Sequence, residues 1–244
     1  MYEKTIMRMI KLMAIDIDGT LTDNDGRINF DAAVLLRKLQ DNGLQIVLAT
    51  GRSVFETYTL SRFLGFANFG ISENGGVIYY KEPTRVKVFG NYFDSLDAYE
   101  FLSKNIDNIR INQRMPRLTE ILLERNFDID YANRLLKDNG YHSKILDSGV
   151  AYHLSSININ KGAALKYIIE KMSLKKEEVA SVGDSEVDEL MFATSGYSFL
   201  VNKNYTIKNR TIEENTKLII TERQGPMGLI EAIEWLMNND LLFY

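Results

Sequence analysis

The sequence predicts an α/β protein built on a largely parallel sheet, with a small α+β segment inserted into it. Three observations carry this. A β-compatible apolar run of Ile10, Leu12, Met13, Ala14 and Ile15 ends abruptly in Asp16-Ile17-Asp18-Gly19-Thr20. Short apolar strands then alternate with helical periodicities on both sides of a central segment. Within that segment, residues 81–156, the alternation gives way to strands joined by a hairpin-like Asp147-Ser148-Gly149.

The opening run is too short for a membrane span and reads as a buried strand with Asp16 at its carboxyl end. Residues 31–41 place Ala32, Leu35, Leu36 and Leu39 at helical spacing, and Asn42-Gly43 closes that helix. Residues 44–49 form the next strand and lead into Thr50-Gly51-Arg52. Ser53 is placed to cap a helix to Leu64, predicted to turn Phe55, Tyr58, Thr59 and Phe63 inward. Strands at 68–72 and 77–80 flank Glu73-Asn74-Gly75-Gly76.

The insert is predicted to run as a strand at 85–89, a helix at 95–106, a strand at 118–124, a helix at 129–139 and strands at 143–146 and 151–155. Lys161 then opens a helix to about Met172. A strand at 179–183, a helix at 186–193, two more strands at 197–201 and 218–221, and an amphipathic helix at 227–237 complete the chain. The expected division is therefore a core of residues 1–80 and 157–244 and an insert of 81–156.

A chain of 244 residues has ample surface to bury around such a core. A formal charge of -4 argues against nucleic acid or an anionic membrane as partner. No cysteine is present, which excludes disulfides, thiolate metal sites and a cysteine nucleophile. The first residues carry both charge signs and do not read as a signal peptide, and no run reaches the length of a spanning helix, so the expected location is the cytoplasm. Oligomeric state is not legible.

The chemistry lies in four separated pieces at strand ends or helix starts: Asp16-Ile17-Asp18-Gly19-Thr20, Thr50-Gly51-Arg52, Lys161, and Gly183-Asp184-Ser185-Glu186-Val187-Asp188. Their order resembles the haloacid dehalogenase-like phosphohydrolases. The insert between the second and third pieces resembles that family's type 2 cap, as in Cof-type sugar phosphatases. Ser72-Glu73-Asn74-Gly75-Gly76 and Tyr152-His153-Leu154 look most like archaeal phosphoglycolate phosphatases.

The resemblance implies a Rossmann-like three-layer core with an α+β cap and a Mg²⁺-dependent phosphatase acting on a small phosphorylated metabolite, phosphoglycolate or a sugar phosphate. It implies Asp16 as nucleophile, Asp18 as general acid and base, Thr50, Gly51 and Lys161 on the phosphoryl group, and Asp16, Asp18, Asp184 and Asp188 around the metal. The residue types suit these roles. Phosphoryl transfer needs an in-line nucleophile, charge neutralisation and a proton for the leaving alkoxide. Mg²⁺ prefers oxygen donors, and Gly51 beside a helix start lets backbone approach an anion.

Asp188 also suits a first-turn cap, but the neighbouring Asp184 favours the ligand role. Val187 departs from the family, which often has Asn there. Thr20 is expected to tie the loop. Asn74, Arg114, Arg117 and His153 are candidate cap or substrate contacts, with Arg110 near them in sequence. Alternatives are phosphoryl transfer to an acceptor other than water, and a catalytically silent binder of a phosphorylated ligand.

Overall fold

The computed structural model describes residues 9–66, 68–80, 85–113, 115–209, 212 and 216–243. β1 (Leu12–Ile15) is buried along its whole length. It pairs in parallel with β2 (Gln45–Ala49) on one side and β9 (Val179–Gly183) on the other. A strand hemmed in on both edges and both faces has to be apolar throughout, which accounts for the run that opens the chain.

β3 (Phe69–Ser72) continues the sheet beyond β2, and β10 (Tyr197–Leu200) and β11 (Lys217–Ile220) continue it beyond β9, all in parallel. β4 (Val77–Tyr80) and β5 (Arg85–Val88) close one edge antiparallel, so the eight strands run β11-β10-β9-β1-β2-β3-β4-β5. The strand at 85–89, expected in the insert, instead pairs as β5 with β4 in this sheet. Its alternation of Arg85, Val86, Lys87 and Val88 suits a charged edge strand as well as a strand of a small separate sheet, so pattern alone could not assign it.

Alternation within β1 distributes the two main cores. Met13 and Ile15 face α1 (Phe30–Asp41) and α7 (Gly225–Asn238), while Leu12 and Ala14 face α5 (Lys161–Lys171) and α6 (Glu189–Thr194). The result is a three-layer α/β/α arrangement. α1 begins where Asn29 accepts from the Ala32 N–H, a cap worth about 1 kcal/mol.

α2 (Val54–Leu64) carries the predicted Ser53 cap, closed reciprocally by Glu56. Its buried face is Val54, Thr57 and Ser61, however, and Phe55 and Phe63 are exposed. The expected inward face is thus corrected. Val77 and Tyr79 crowd the side where α2 meets the sheet, leaving room there for small residues instead of rings.

The second unit has its own core. α3 (Tyr92–Asn105) and α4 (Ile129–Asp138) cover a three-stranded antiparallel sheet in the order β6-β8-β7, from β6 (Ile121–Leu123), β7 (Ser143–Asp147) and β8 (Tyr152–Ser156). The hairpin at Asp147-Ser148-Gly149 joins β7 and β8 as the turn residues indicated.

Candidate active site

The parallel strands bring their carboxyl ends together. Register pairs Ile15 with Leu48 and with Val182, so Asp16, Thr50 and Asp184 emerge on one rim. β1 lies where the chain's progression across the sheet reverses, the usual position of a ligand crevice. A cavity of about 600 Å³ opens there, lined on the sheet side by Asp16, Asp18, Thr50, Gly51, Lys161 and Asp184.

At its floor is a fully buried ammonium. Lys161 Nζ donates to Asp16 Oδ1 at 2.6 Å and to Asp188 Oδ1 at 2.7 Å. Burial works against the lysine's charge, but the two carboxylates outweigh it and hold its pKa above the ordinary value. Asp16 is itself buried, and burial raises its pKa well above the usual 3.8 despite Lys161, with Asp188 and Asp184 adding repulsion. Asp184 is pushed up to about 6 by burial and by Asp188.

Asp16, Asp184 and Asp188 each present an oxygen within 4.8 Å of the others. Three carboxylates against one ammonium leave negative charge uncompensated, and all three donors are hard oxygens. That composition fits a divalent cation of the Mg²⁺ type. Gly19 makes the approach possible: at φ +81 it lies so near Asp184 that a Cβ there would be 2.6 Å from Oδ2.

Asp188 uses both oxygens inside the protein. Oδ1 accepts from Lys161, and Oδ2 accepts from the backbone N–H of Asp184 and Ser185 and from Ser185 Oγ, at 3.0, 3.1 and 3.2 Å. The capping geometry and the place in the carboxylate cluster therefore coexist. Val187 lines the cavity without contributing a polar atom.

Asp18 stands apart from the cluster. Arg52 grips it with both arms of the fork, Nε to Oδ2 at 2.9 Å and Nη2 to Oδ1 at 2.6 Å. Its backbone N–H also donates to Thr50 Oγ1 at 3.1 Å, which leaves the Thr50 hydroxyl proton free for a ligand. Thr20 does not tie the loop as expected, because its hydroxyl has no partner. Thr22 does so instead, accepting from the Gly19 N–H and donating to the Ile17 carbonyl.

The opposite wall comes from the second unit. Arg117 Nη1 donates to the Gly51 carbonyl at 2.6 Å and pairs with the buried Glu120. His153 Nδ1 faces the Glu120 carboxylate at 3.0 Å and the Asn74 amide at 3.1 Å, and Nε2 faces Ser148 Oγ at 3.1 Å. Burial pushes the Glu120 carboxyl up, but His153 and Arg117 outweigh it and hold it below its ordinary value.

Glu73 fastens the same junction: its carboxylate accepts from the N–H groups of Leu118 and Thr119 and from Thr119 Oγ1. Glu73 and Asn74 both adopt positive φ, and a Cβ on Gly75 would be 2.1 Å from the Asn160 carbonyl. The turn is therefore wedged against the start of α5. Arg110 is exposed and does not line the cavity, and Arg114 lies outside the described residues.

Of the residues singled out from sequence, the structure brings Asp16, Asp18, Thr50, Gly51, Asn74, Arg117, His153, Lys161 and Asp184 around one cavity, with Asp188 directly behind Lys161. Glu73, Glu120, Ser148 and the grip of Arg52 on Asp18 were not foreseen. Arg52 and Glu73 lay inside strings already singled out. Glu120 carried no signal, being one acidic residue beside a short strand.

The carboxylate cluster, which could hold a metal ion, with the buried lysine and the threonine at the next strand end on an α/β/α core, has the composition of a hydrolase site. A family of haloacid dehalogenase-like hydrolases matches residues 13–108 and 88–214. The chain is 32% identical over 227 residues to the phosphoglycolate phosphatase of Nitrosopumilus maritimus, covering 93% of this chain and 96% of the relative. Against the phosphoglycolate phosphatase of Archaeoglobus fulgidus it is 31% identical, covering 93% and 96%.

A Thermoplasma acidophilum crystal structure shares the fold at a TM-score of 0.81 and 24% identity, covering 96% of this chain and 100% of that one. The sucrose-phosphatase of Synechocystis, solved with sucrose and phosphate, shares it at 0.72 and 18%, covering 95% and 99%. The chain belongs to the haloacid dehalogenase-like hydrolases, and its enzyme class is that of the phosphoric monoester hydrolases. No helix among the described residues is long and apolar enough to cross a membrane.

Proposed function

We propose that the protein is a Mg²⁺-dependent phosphatase of small phosphorylated metabolites, working through a phosphoryl group carried transiently on Asp16. The observation that carries this reading is the buried Lys161 ammonium shared by Asp16 and Asp188, with Asp184 beside it and the Thr50 hydroxyl on the same rim. Lys161 holds Oδ1 of Asp16 and leaves Oδ2 for in-line attack on phosphorus. The bond from Asp16 to phosphorus forms as the ester P–O bond breaks, and Asp18 gives a proton to the departing alkoxide. Asp18 then takes a proton from water, whose oxygen displaces Asp16 and releases inorganic phosphate.

Thr50 donates to a phosphoryl oxygen, Lys161 supplies a fixed positive charge, and Gly51 keeps the backbone close. Asp16, Asp184, Asp188 and the Asp18 main-chain carbonyl would hold Mg²⁺, with Asp188 also supporting Lys161 and the Asp184 turn. When bound, the ion neutralises charge on the phosphoryl oxygens. Retention of every charged group in the cluster disfavours a silent binding protein, since unused carboxylates so close together repel.

Residues from Gly90 to Ser156 act as the cap, with β5 left to the core and the junction fastened through Glu73. Phosphoglycolate is the first candidate substrate, supported by the names of the curated relatives. A sugar phosphate follows, since the cavity of about 600 Å³ exceeds what a two-carbon ester fills. Mg²⁺-dependent hydrolysis of p-nitrophenyl phosphate tests the reading. Asp16→Asn is expected to abolish it while melting as cooperatively as the parent, and undiminished turnover would refute the assignment.

A further inference from the structure

The Gly51–Arg52 peptide is held from two directions. On the cap side, Arg117 Nη1 donates to its carbonyl oxygen at 2.6 Å. On the core side, its N–H donates to Thr50 Oγ1 at 3.1 Å. A peptide plane fixed at both its oxygen and its nitrogen cannot rotate without breaking one of these bonds. The residue it leads into is Arg52, whose guanidinium forks onto both oxygens of Asp18. Arg52 O in turn accepts from the Glu73 N–H, so the next carbonyl along is tied to the turn that clamps the cap.

Arg117 is in place because the cap holds it there. Glu120 is fully buried and pairs with Arg117 on one side and with His153 Nδ1 on the other. His153 Nε2 is braced by Ser148 from the β7–β8 hairpin. The Arg117 side chain is 7% exposed and its Nε has no partner. Glu120 and the Gly51 carbonyl, both meeting Nη1, therefore fix that end of the guanidinium.

We propose that Arg117, anchored by Glu120, is a positioning residue. From the cap it fixes the Gly51–Arg52 peptide, and through that peptide it orients the Thr50 hydroxyl and the Arg52 fork that holds Asp18. Both Asp18 oxygens accept from Arg52 in this arrangement, so Asp18 carries the proton for the leaving oxygen once one oxygen leaves the fork, and the seated cap fixes the place from which it does so. A seated cap excludes water in the same movement, which couples exclusion of water to readiness for proton transfer. This rests on the phosphatase reading above, with Asp18 as the proton donor.

The test compares kcat/KM for three phosphomonoesters with Mg²⁺: p-nitrophenyl phosphate, 2-hydroxyethyl phosphate and 2-phosphoglycolate. kcat/KM reports the steps through departure of the leaving group. p-Nitrophenolate departs without needing a proton, whereas the two alkoxides need one from Asp18. R117M is expected to lower kcat/KM for both alkyl esters by at least about tenfold more than for p-nitrophenyl phosphate, part of the ~10²–10⁴-fold that general acid catalysis supplies. R117K keeps a cation beside Glu120 and so protects the fold. Both contacts leave Nη1, and an ammonium on a flexible stem holds that place less rigidly than a planar guanidinium, so R117K is expected to show the same pattern to a smaller degree.

Equal losses on all three esters, in both variants, would mean a merely structural role and overturn the proposal. A loss confined to 2-phosphoglycolate would make Arg117 a direct reader of the substrate carboxylate and overturn it as well. Failure of the parent protein to hydrolyse any of the three would strike at the phosphatase reading itself, a different result from either.

Discussion

Asp184 is where charge needed for function is expected to oppose stability. Its pKa rises from an ordinary 3.8 to about 6, through burial first and repulsion from Asp188 second, with Lys161 opposing. At 1.36 kcal/mol per unit, keeping this carboxylate ionised in the folded chain costs about 3 kcal/mol above pH 6. The folded-state pKa lies above the unfolded one, so between about pH 4 and pH 6 the native chain binds more protons than the unfolded chain. Stability of the metal-free protein contributed by this group therefore falls as pH rises through that window.

Asp184→Asn removes the charge and keeps the shape. Without divalent ions at pH 8 it is expected to be more stable than the parent by up to about 3 kcal/mol, or about 6–12 °C in Tm for a chain of this size. The advantage shrinks toward zero near pH 4, where the parent's carboxyl is protonated. Adding Mg²⁺ raises the parent's Tm and not the variant's, because an ion that binds only the folded state stabilises by mass action. Thermal unfolding with chelator and with Mg²⁺, at pH 4 and pH 8, reads all of this. An Asp184→Asn protein less stable than its parent in chelator at pH 8 would refute the reasoning.

Two further substitutions probe the same floor. Lys161→Met removes the only cation that contacts the buried Asp16 and Asp188 among the described residues, and is expected to cost about 3–5 kcal/mol at neutral pH, less in acid where the carboxylates protonate; urea unfolding at two pH values measures it. Gly19→Ala forces a side chain into φ +81 and to 2.6 Å from Asp184 Oδ2, so it is expected to cost about 1–3 kcal/mol and to weaken Mg²⁺ binding at least about tenfold. Calorimetric titration with Mg²⁺ checks the second effect, and unchanged affinity would mean that Gly19 does not set the approach of Asp184.

Much of the core was legible because its elements answer to local rules. β1 must be apolar since it is enclosed on every side, and Ser53 and Glu56 announce the start of α2 three residues apart. The inward face of α2 was misjudged for a tertiary reason: Val77 and Tyr79 already fill that space, so the aromatic residues turn outward. β5 was misassigned because an alternating edge strand carries no record of which sheet it joins.

The sequence by itself determined the chemical groups and their order: the paired aspartates after the first strand, Thr50-Gly51-Arg52 after the second, Lys161 at a helix start and the last acidic pair after β9. Such groups sit where regular elements end, and element ends are written locally. Only the tertiary structure decided what those groups touch. It set Lys161 between Asp16 and Asp188, gave Asp18 to Arg52, moved the loop tie from Thr20 to Thr22, and brought Glu120 with Arg117 and His153 against Gly51. These contacts join residues far apart in the chain, and their geometry follows from how the sheet registers and the second unit seats, which no local pattern encodes.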